Sequence, residues 1–276
     1  VRIAVTGGKG GTGKSTVATA LAVELGKRHE VVLADADVEC PDDHLILSIE
    51  RKGFADVKLP LPAFDFEKCI KCGKCASTCR YNAIVQVKGK YPIFDPGLCN
   101  GCGACMLVCP AGAISRGQRK VGEIFRGEGH GISLFSGEME VGYEEASPVV
   151  NALKEKIPKS EFEIIDTAAG THCNVISALR GCDYAVAVTE PTPFGAHDLE
   201  LILRLAAVLG VPAGVVVNRS DLGETGEVNK IAEKHGAEVI AEIPYSKEML
   251  ESYSRGEPVA GKGILGIAEM LEAMLK

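Results

Sequence analysis

The chain has 276 residues, of which 46% are hydrophobic and 32 are glycine, and its formal charge is −7. That charge disfavours a nucleic-acid binder relying on a general basic field. No apolar run reaches the length of a transmembrane helix, and the length is ample for one large core or two smaller ones.

The first predicted element is a short apolar strand, Val1–Thr6, followed at once by GGKGGTGKST. Residues Gly8 to Ser15 fit G-x-x-x-x-G-K-[ST] between a strand and a helix, the context a phosphate loop requires. Gly8, Gly10, Gly11 and Gly13 let the backbone curl so that successive N–H groups face phosphate oxygens, with Thr12 and Thr16 in the same nucleotide-binding set. Lys14 is expected to bridge the outer phosphates and Ser15 to hold Mg²⁺. A helix is predicted over Ser15–Lys27, with Val17, Leu21 and Leu25 on one face, and the next strand, Glu30–Ala34, ends at Asp35-Ala-Asp37.

From about Lys58 to Gly117 the pattern changes to Cys, Gly and Pro punctuation. Eight of the eleven cysteines lie there, and FDFEKCIKCGKCASTCRYNAI aligns with FDPGLCNGCGACMLVCPAGAI at an offset of thirty residues. Beyond it, the strands Phe162–Asp166, Tyr184–Glu190, Ala213–Asn218 and Ala237–Ile243 are continuous apolar runs. Helices are predicted near Asn174–Arg180, Ala196–Leu209, Thr225–Lys234 and Lys247–Ser254. Such alternation indicates an α/β fold with a mostly parallel sheet covered on both faces. The expected organisation is a discontinuous domain of residues 1–57 and 118–276, interrupted by an inserted α+β module at 58–117. A final amphipathic helix, Ile264–Leu275, carries Glu269 and Glu272 on its polar side, so packing on the domain is expected rather than membrane binding.

Both cysteine runs, Cys69-x₂-Cys72-x₂-Cys75-x₃-Cys79 and Cys99-x₂-Cys102-x₂-Cys105-x₃-Cys109-Pro110, have the bacterial ferredoxin spacing. The fourth cysteine of each run crosses to the other cluster. Cys69, Cys72, Cys75 and Cys109 are therefore expected to hold one [4Fe–4S], and Cys99, Cys102, Cys105 and Cys79 the second. Structural zinc is the alternative, but zinc sites use four ligands in paired spacings. The first copy has Arg80 where the pattern has proline, which alters packing around the cluster served by Cys79. Clustered cysteines behind a strand-like opening, with no leader peptide, point to metal ligation in a reducing cytoplasm. Cys40, Cys173 and Cys182 read as packing thiols, Cys173 with an accessory metal or redox role as its alternative, and His44, His130 and His197 as structural.

The run KGGTGKST, with its second lysine Lys9, resembles the deviant Walker A loop of the MinD/ParA/Mrp group of P-loop ATPases. The resemblance implies ATP and Mg²⁺ as ligands and a homodimer with ATP, in which Lys9 contacts the partner's nucleotide. Asp35-Ala-Asp37 resembles the family's first switch, implying that Asp35 organises the magnesium shell and Asp37 orients the attacking water. Asp166-Thr-Ala-Ala-Gly170 resembles its Walker B and second switch, adding Asp166 at the magnesium. VVVNRSD and EIPYSKE are similar to its base-contacting stretches, placing Asn218, Pro244 and Tyr245 near adenine. This likeness covers about 1–57 and 121–276, and the whole resembles the MinD-superfamily ATPases with an inserted ferredoxin domain.

The expected function is ATP-gated electron transfer to, or metallocofactor assembly on, an unidentified acceptor protein, with Lys9, Lys14 and Asp37 serving ATP hydrolysis. A nucleotide-switched positioning or partition scaffold and an iron–sulfur cluster carrier are the alternatives; neither membrane nor nucleic-acid binding is expected.

Overall fold

Runs such as Val31–Ala36 and Tyr184–Thr189 offer apolar side chains on both faces, so they can only be buried between two layers of helices. The computed structural model describes residues 1–275. The chain begins β1 (Arg2–Thr6), α1 (Lys14–Gly26), β2 (Val31–Ala36), α2 (Asp43–Ile46) and a long strand β3 (Lys52–Phe64). The cysteine region supplies α3 (Lys74–Thr78), β4 (Ile84–Val85), β5 (Ile93–Phe94) and α4 (Ala104–Leu107). The return runs through β6 (Ile114–Gly129) and β7 (Ile132–Met139). Helix and strand then alternate: α5 (Ser147–Lys156), β8 (Phe162–Thr167), α6 (Cys173–Leu179), β9 (Tyr184–Thr189), α7 (Pro193–Leu209) and β10 (Ala213–Asn218). The chain closes with α8 (Gly226–Lys234), β11 (Glu238–Ile243), α9 (Lys247–Ser254) and α10 (Lys262–Glu272).

Nine strands form one sheet in the order β11-β10-β9-β1-β8-β2-β7-β6-β3. Every pairing from β11 to β7 is parallel, whereas β7–β6 and β6–β3 are antiparallel. Alternate residues feed separate cores. Ile3 and Val5 pack with Val17, Leu21 and Leu25 of α1 and Ile264 and Ile267 of α10. Ala4, one position away, packs on the other side with Val149, Leu199 and Ile202 of α5 and α7. The α/β class and mostly parallel sheet agree with the sequence pattern. The antiparallel edge was not among the predicted strands, because β3 and β6 are rich in Lys, Arg, Gly and Pro and only sparsely buried.

The change of pattern at Lys58 and Gly117 falls inside β3 and β6. Those strands continue past the sheet as a two-stranded ribbon pairing Lys58–Phe64 with Ile114–Lys120, and it carries residues 65–113. Within that segment the repeat is structural as well as sequential. Asp65 N donates to Ala113 O and Asp95 N to Ala83 O, both at 2.8 Å, so each copy of the repeat is tied to the other by the same bond. The segment's own buried cluster is Cys75, Ile84, Cys105 and Ile114, with Phe64, Phe94 and Met106 partly buried against it; Ala83 and Ala113 are buried beside it.

Candidate functional site

Helix α1 starts after Gly13, which sits at φ +90°, with no side chain capping its first turn and no acidic residue in it. Among the described helices, side chains cap only α7, where Thr192 accepts from Gly195 N, and α9, where Ser246 accepts from Met249 N. The unclaimed N–H groups of α1 leave a site for an anion. A Cβ at Gly13 would meet Asn218 Nδ2 at 2.3 Å and one at Gly8 would meet Asp198, whereas Gly10 faces open space. Lys14 is buried, and its Nζ donates to the Lys9 carbonyl at 3.2 Å.

A cleft of about 310 Å³ opens over this loop, lined by Gly11, Gly13, Lys14, Ser15 and Thr16 and, from distant segments, Asn218, Pro244 and Tyr245. Asn218 Nδ2 donates to Thr12 O at 2.8 Å, and Tyr245 N donates to Asp221 Oδ1 at 2.6 Å, so each is fixed by the loop opposite. Arg219, Met249, Leu250 and Tyr253 also line the cleft and were not foreseen. The signal available was α9 itself, whose apolar residues Met249, Leu250 and Tyr253 include none that is fully buried. Lys9 Nζ lies 3.4 Å from Glu190 of its own chain, which also pairs with Arg219.

Adjacent strands β2 and β8 place Asp35 opposite Asp166 at their carboxyl ends, both fully buried. Asp35 accepts from Asp37 N at 3.2 Å and from Asp43 N at 3.1 Å, which folds the 37–43 loop around it. Burial first, and then the charge of Asp166, pushes the Asp35 carboxyl well above the usual carboxylate range. Burial, then the charge of Asp35, does the same to Asp43. Asp166 is pushed up to about 7 by burial, against the pull of Ser15 and Lys14. The Ser15 hydroxyl approaches without completing a bond, and both oxygens of Asp166, like both of Asp43, lack a donor. Asp37, half-buried, is raised by burial and held down in part by Lys14. Asp35, Asp42 and Asp43 each present an oxygen within 4.8 Å of the others. Buried carboxylates without donors are costly unless a cation joins them, and oxygen donors suit Mg²⁺. Asp42 and Asp43 were missed; their only sequence signal is their closeness to Asp35 and Asp37.

Two further cavities lie in the cysteine segment. One is lined by Cys69, Cys72, Cys75 and Cys109, the other by Cys79, Cys99, Cys102 and Cys105. All eight thiols are free, and burial pushes those of Cys75, Cys99 and Cys105 up. Ala113 N already donates to Cys109 Sγ at 3.3 Å. Neither cavity contains a carboxylate or imidazole, and four thiolates per site suit a soft metal or an iron–sulfur cluster. The residues fit such a group. Two expectations need correction: Cys173, at the start of α6, and Cys40 are exposed rather than packed, because each sits on a loop edge outside both cores. Cys182 is buried as expected, its Sγ donating to Ala178 O.

The parallel sheet, the glycine loop before α1 and the carboxylates at the strand ends define a P-loop nucleotide-binding protein. Residues 3–259 match the family model described as the CobQ/CobB/MinD/ParA nucleotide binding domain. An uncharacterised protein of Methanocaldococcus jannaschii is 33% identical over 92% of this chain and 90% of its own. Among solved structures, the septum site-determining protein MinD complexed with Mg-ADP from Pyrococcus horikoshii superposes with a TM-score of 0.62 at 17% identity, covering 99% of this chain and 96% of that one. MinD in the MinC:MinD cell division complex of Aquifex aeolicus gives 0.60 at 20% identity, covering 99% and 96%. The chain belongs to the CobQ/CobB/MinD/ParA family of nucleotide-binding proteins. Among the described residues no helix is long and apolar enough to cross a membrane.

Proposed function

We propose that the chain is a Mg-dependent ATPase whose inserted segment is a two-[4Fe–4S] ferredoxin-like module, ATP controlling electron delivery to, or cofactor assembly on, a partner protein. One observation carries the reading: eight thiols of a duplicated sequence divide four and four around two cavities, each completed by a cysteine from the other half. Clusters held there supply one-electron redox chemistry.

At the cleft, the first-turn N–H groups of α1 and the Lys14 ammonium neutralise phosphate charge, and Tyr245 and Pro244 flank the base. Ser15 and Asp166 are the groups that hold Mg²⁺, with Asp35 organising the loop around it. Asp37 is left half-buried beside the cleft to orient a water for attack. Lys9 serves a partner's nucleotide in an ATP-bound homodimer only after leaving Glu190. The loop after Asp37 is also joined, through β7, to the arm that carries the module. Met139 N donates to Val38 O and Glu140 N to Val121 O, both at 2.9 Å, linking the loop to β6 through two bonds. A nucleotide-driven shift at Asp37 would reach the ribbon by way of β7 and Val121, the residue next to the ribbon's Lys120.

Anaerobically reconstituted protein, reduced and studied by EPR with and without Mg-ATP, tests this. A cluster spectrum that changes with nucleotide supports the reading. A spectrum indifferent to nucleotide removes the gating, and iron-free protein that still turns over ATP favours the positioning scaffold.

A further inference from the structure

The two halves of the cysteine module share a fold but not a surface. Lys68, Lys71, Lys74, Arg80, Lys88 and Lys90 all lie in the first half, and no Lys or Arg lies between Asp95 and Ala113. At the repeat's equivalent positions Lys68, Lys71 and Lys74 become Leu98, Gly101 and Ala104. The difference follows from where each half faces. A Cβ at Gly101, which sits at φ +76°, would meet Pro60 O at 2.9 Å, and Pro62 lines the Cys99 cavity, so the second half turns toward the ribbon. The first half turns to solvent: Ile70, Lys71 and Lys74 are exposed, whereas their counterparts Asn100, Gly101 and Ala104 are half-buried.

Around that cavity the cations form one patch. Gly73 lies against Gln86, whose Nε2 donates to Lys90 O at 2.6 Å, which joins the Cys69–Cys75 loop to the hairpin bearing Lys88 and Lys90. Lys71 Nζ lies 4.2 Å above the Tyr91 ring, and that ring is 5.0 Å from Phe66. Lys68 is neutralised by Asp65 at 2.7 Å, but among the described residues Lys71, Lys74, Lys88 and Lys90 have no acidic partner. Between them Ile70 is 64% exposed and Phe66 45%. Four unpaired cations around exposed apolar side chains make a surface complementary to an acidic protein.

We propose that this face is the docking surface for an acidic electron-carrier protein, received over the Cys69, Cys72, Cys75 and Cys109 site. The carrier chemistry rests on the iron–sulfur reading above; the acidity of the partner rests on the charges alone. A small patch suits the transient contacts of redox partners. Single-stranded nucleic acid fits less well, because Lys71 covers the face of Tyr91 and Phe66 stacks on Phe64 at 6.1 Å, so neither of the patch's two rings is free for bases.

The test is calorimetric binding of reconstituted full-length protein to an acidic plant-type [2Fe–2S] ferredoxin, with a basic c-type cytochrome and a 20-nucleotide DNA strand as comparators. The ferredoxin is expected to bind alone among the three. Its affinity should fall at least about tenfold between roughly 20 and 200 mM salt, and by a similar factor in K71E/K74E/K88E/K90E, while the fourfold Lys→Arg variant binds as wild type. Iron content of both variants should equal wild type, which separates a lost surface from a lost fold. Ferredoxin that ignores iron-loaded wild type, binds the charge-reversed variant equally, or is matched by DNA overturns the docking surface alone. Wild-type protein that takes up no iron overturns the iron–sulfur reading and the carrier with it.

Discussion

The nucleotide end of the sheet and the cysteine module are held together by different forces. The sheet lies between two extensive apolar layers in which residues such as Leu21, Leu33, Phe135 and Ile164 are fully buried. The module's buried cluster is Cys75, Ile84, Cys105 and Ile114, with the small Ala83 and Ala113 buried beside it. At roughly 25 cal/mol per Å² of buried apolar surface, so small a core does not offset the chain entropy of about fifty residues. The nucleotide-binding domain folds by burying hydrocarbon; the module, on the iron–sulfur reading proposed above, draws its stability from metal ligation.

The largest effect expected from that difference is on removing iron. Chelated protein should keep its sheet, while amides in 65–113 exchange at close to unfolded rates; hydrogen exchange with mass spectrometry reads both. A module equally protected without metal would break the comparison. On the nucleotide side, Lys14→Ala should weaken Mg-ATP binding by about a hundredfold, with iron content unchanged, since Lys14 bonds within the phosphate loop and lines neither cysteine cavity. Equilibrium binding and iron assay on the same sample check it.

A smaller effect concerns pH. Asp166 is raised to about 7 in the folded chain from an ordinary 3.8, so folding takes up a proton between those values. Its contribution is fully present below about pH 4 and is lost as pH rises through 7. Nucleotide-free Asp166→Asn should therefore melt higher than wild type at pH 8, by on the order of 2 kcal/mol, and equal it near pH 4; thermal melts at both values decide. The smallest effect is expected at Tyr245→Ala, which flanks the cleft while half-exposed. It should cost less than about tenfold in ATP affinity and leave the melting temperature unchanged.

What was legible in the sequence follows the same division. Gly8–Ser15, Asp35 and Asp166 could be read because a phosphate loop needs fixed spacing beside strand ends, and the parallel strands because they are continuously apolar. The ferredoxin spacing of the two runs implies that the fourth cysteine of each joins the other half, and the two cavities are lined in that way. What could not be read depends on contacts between distant segments. β3 and β6 are held by pairing with each other rather than by an apolar stripe, so their composition resembles a loop. Asp43 is a site residue only because Asp35 accepts its N–H, and Glu190 only because the chain returns it beside Lys9 and Arg219. Residue type alone places Cys173 in the interior, yet it starts the helix that follows β8, outside both cores, and stays exposed.

The most direct test of the two-part molecule is iron stoichiometry after anaerobic reconstitution of wild type and of Cys109→Ser. Wild type should hold about eight iron atoms per chain. The serine variant should lose the cluster completed by Cys69, Cys72 and Cys75 and keep about four, with undiminished Mg-ATP binding. A colourless wild type, or zinc in place of iron, would contradict the account at its centre.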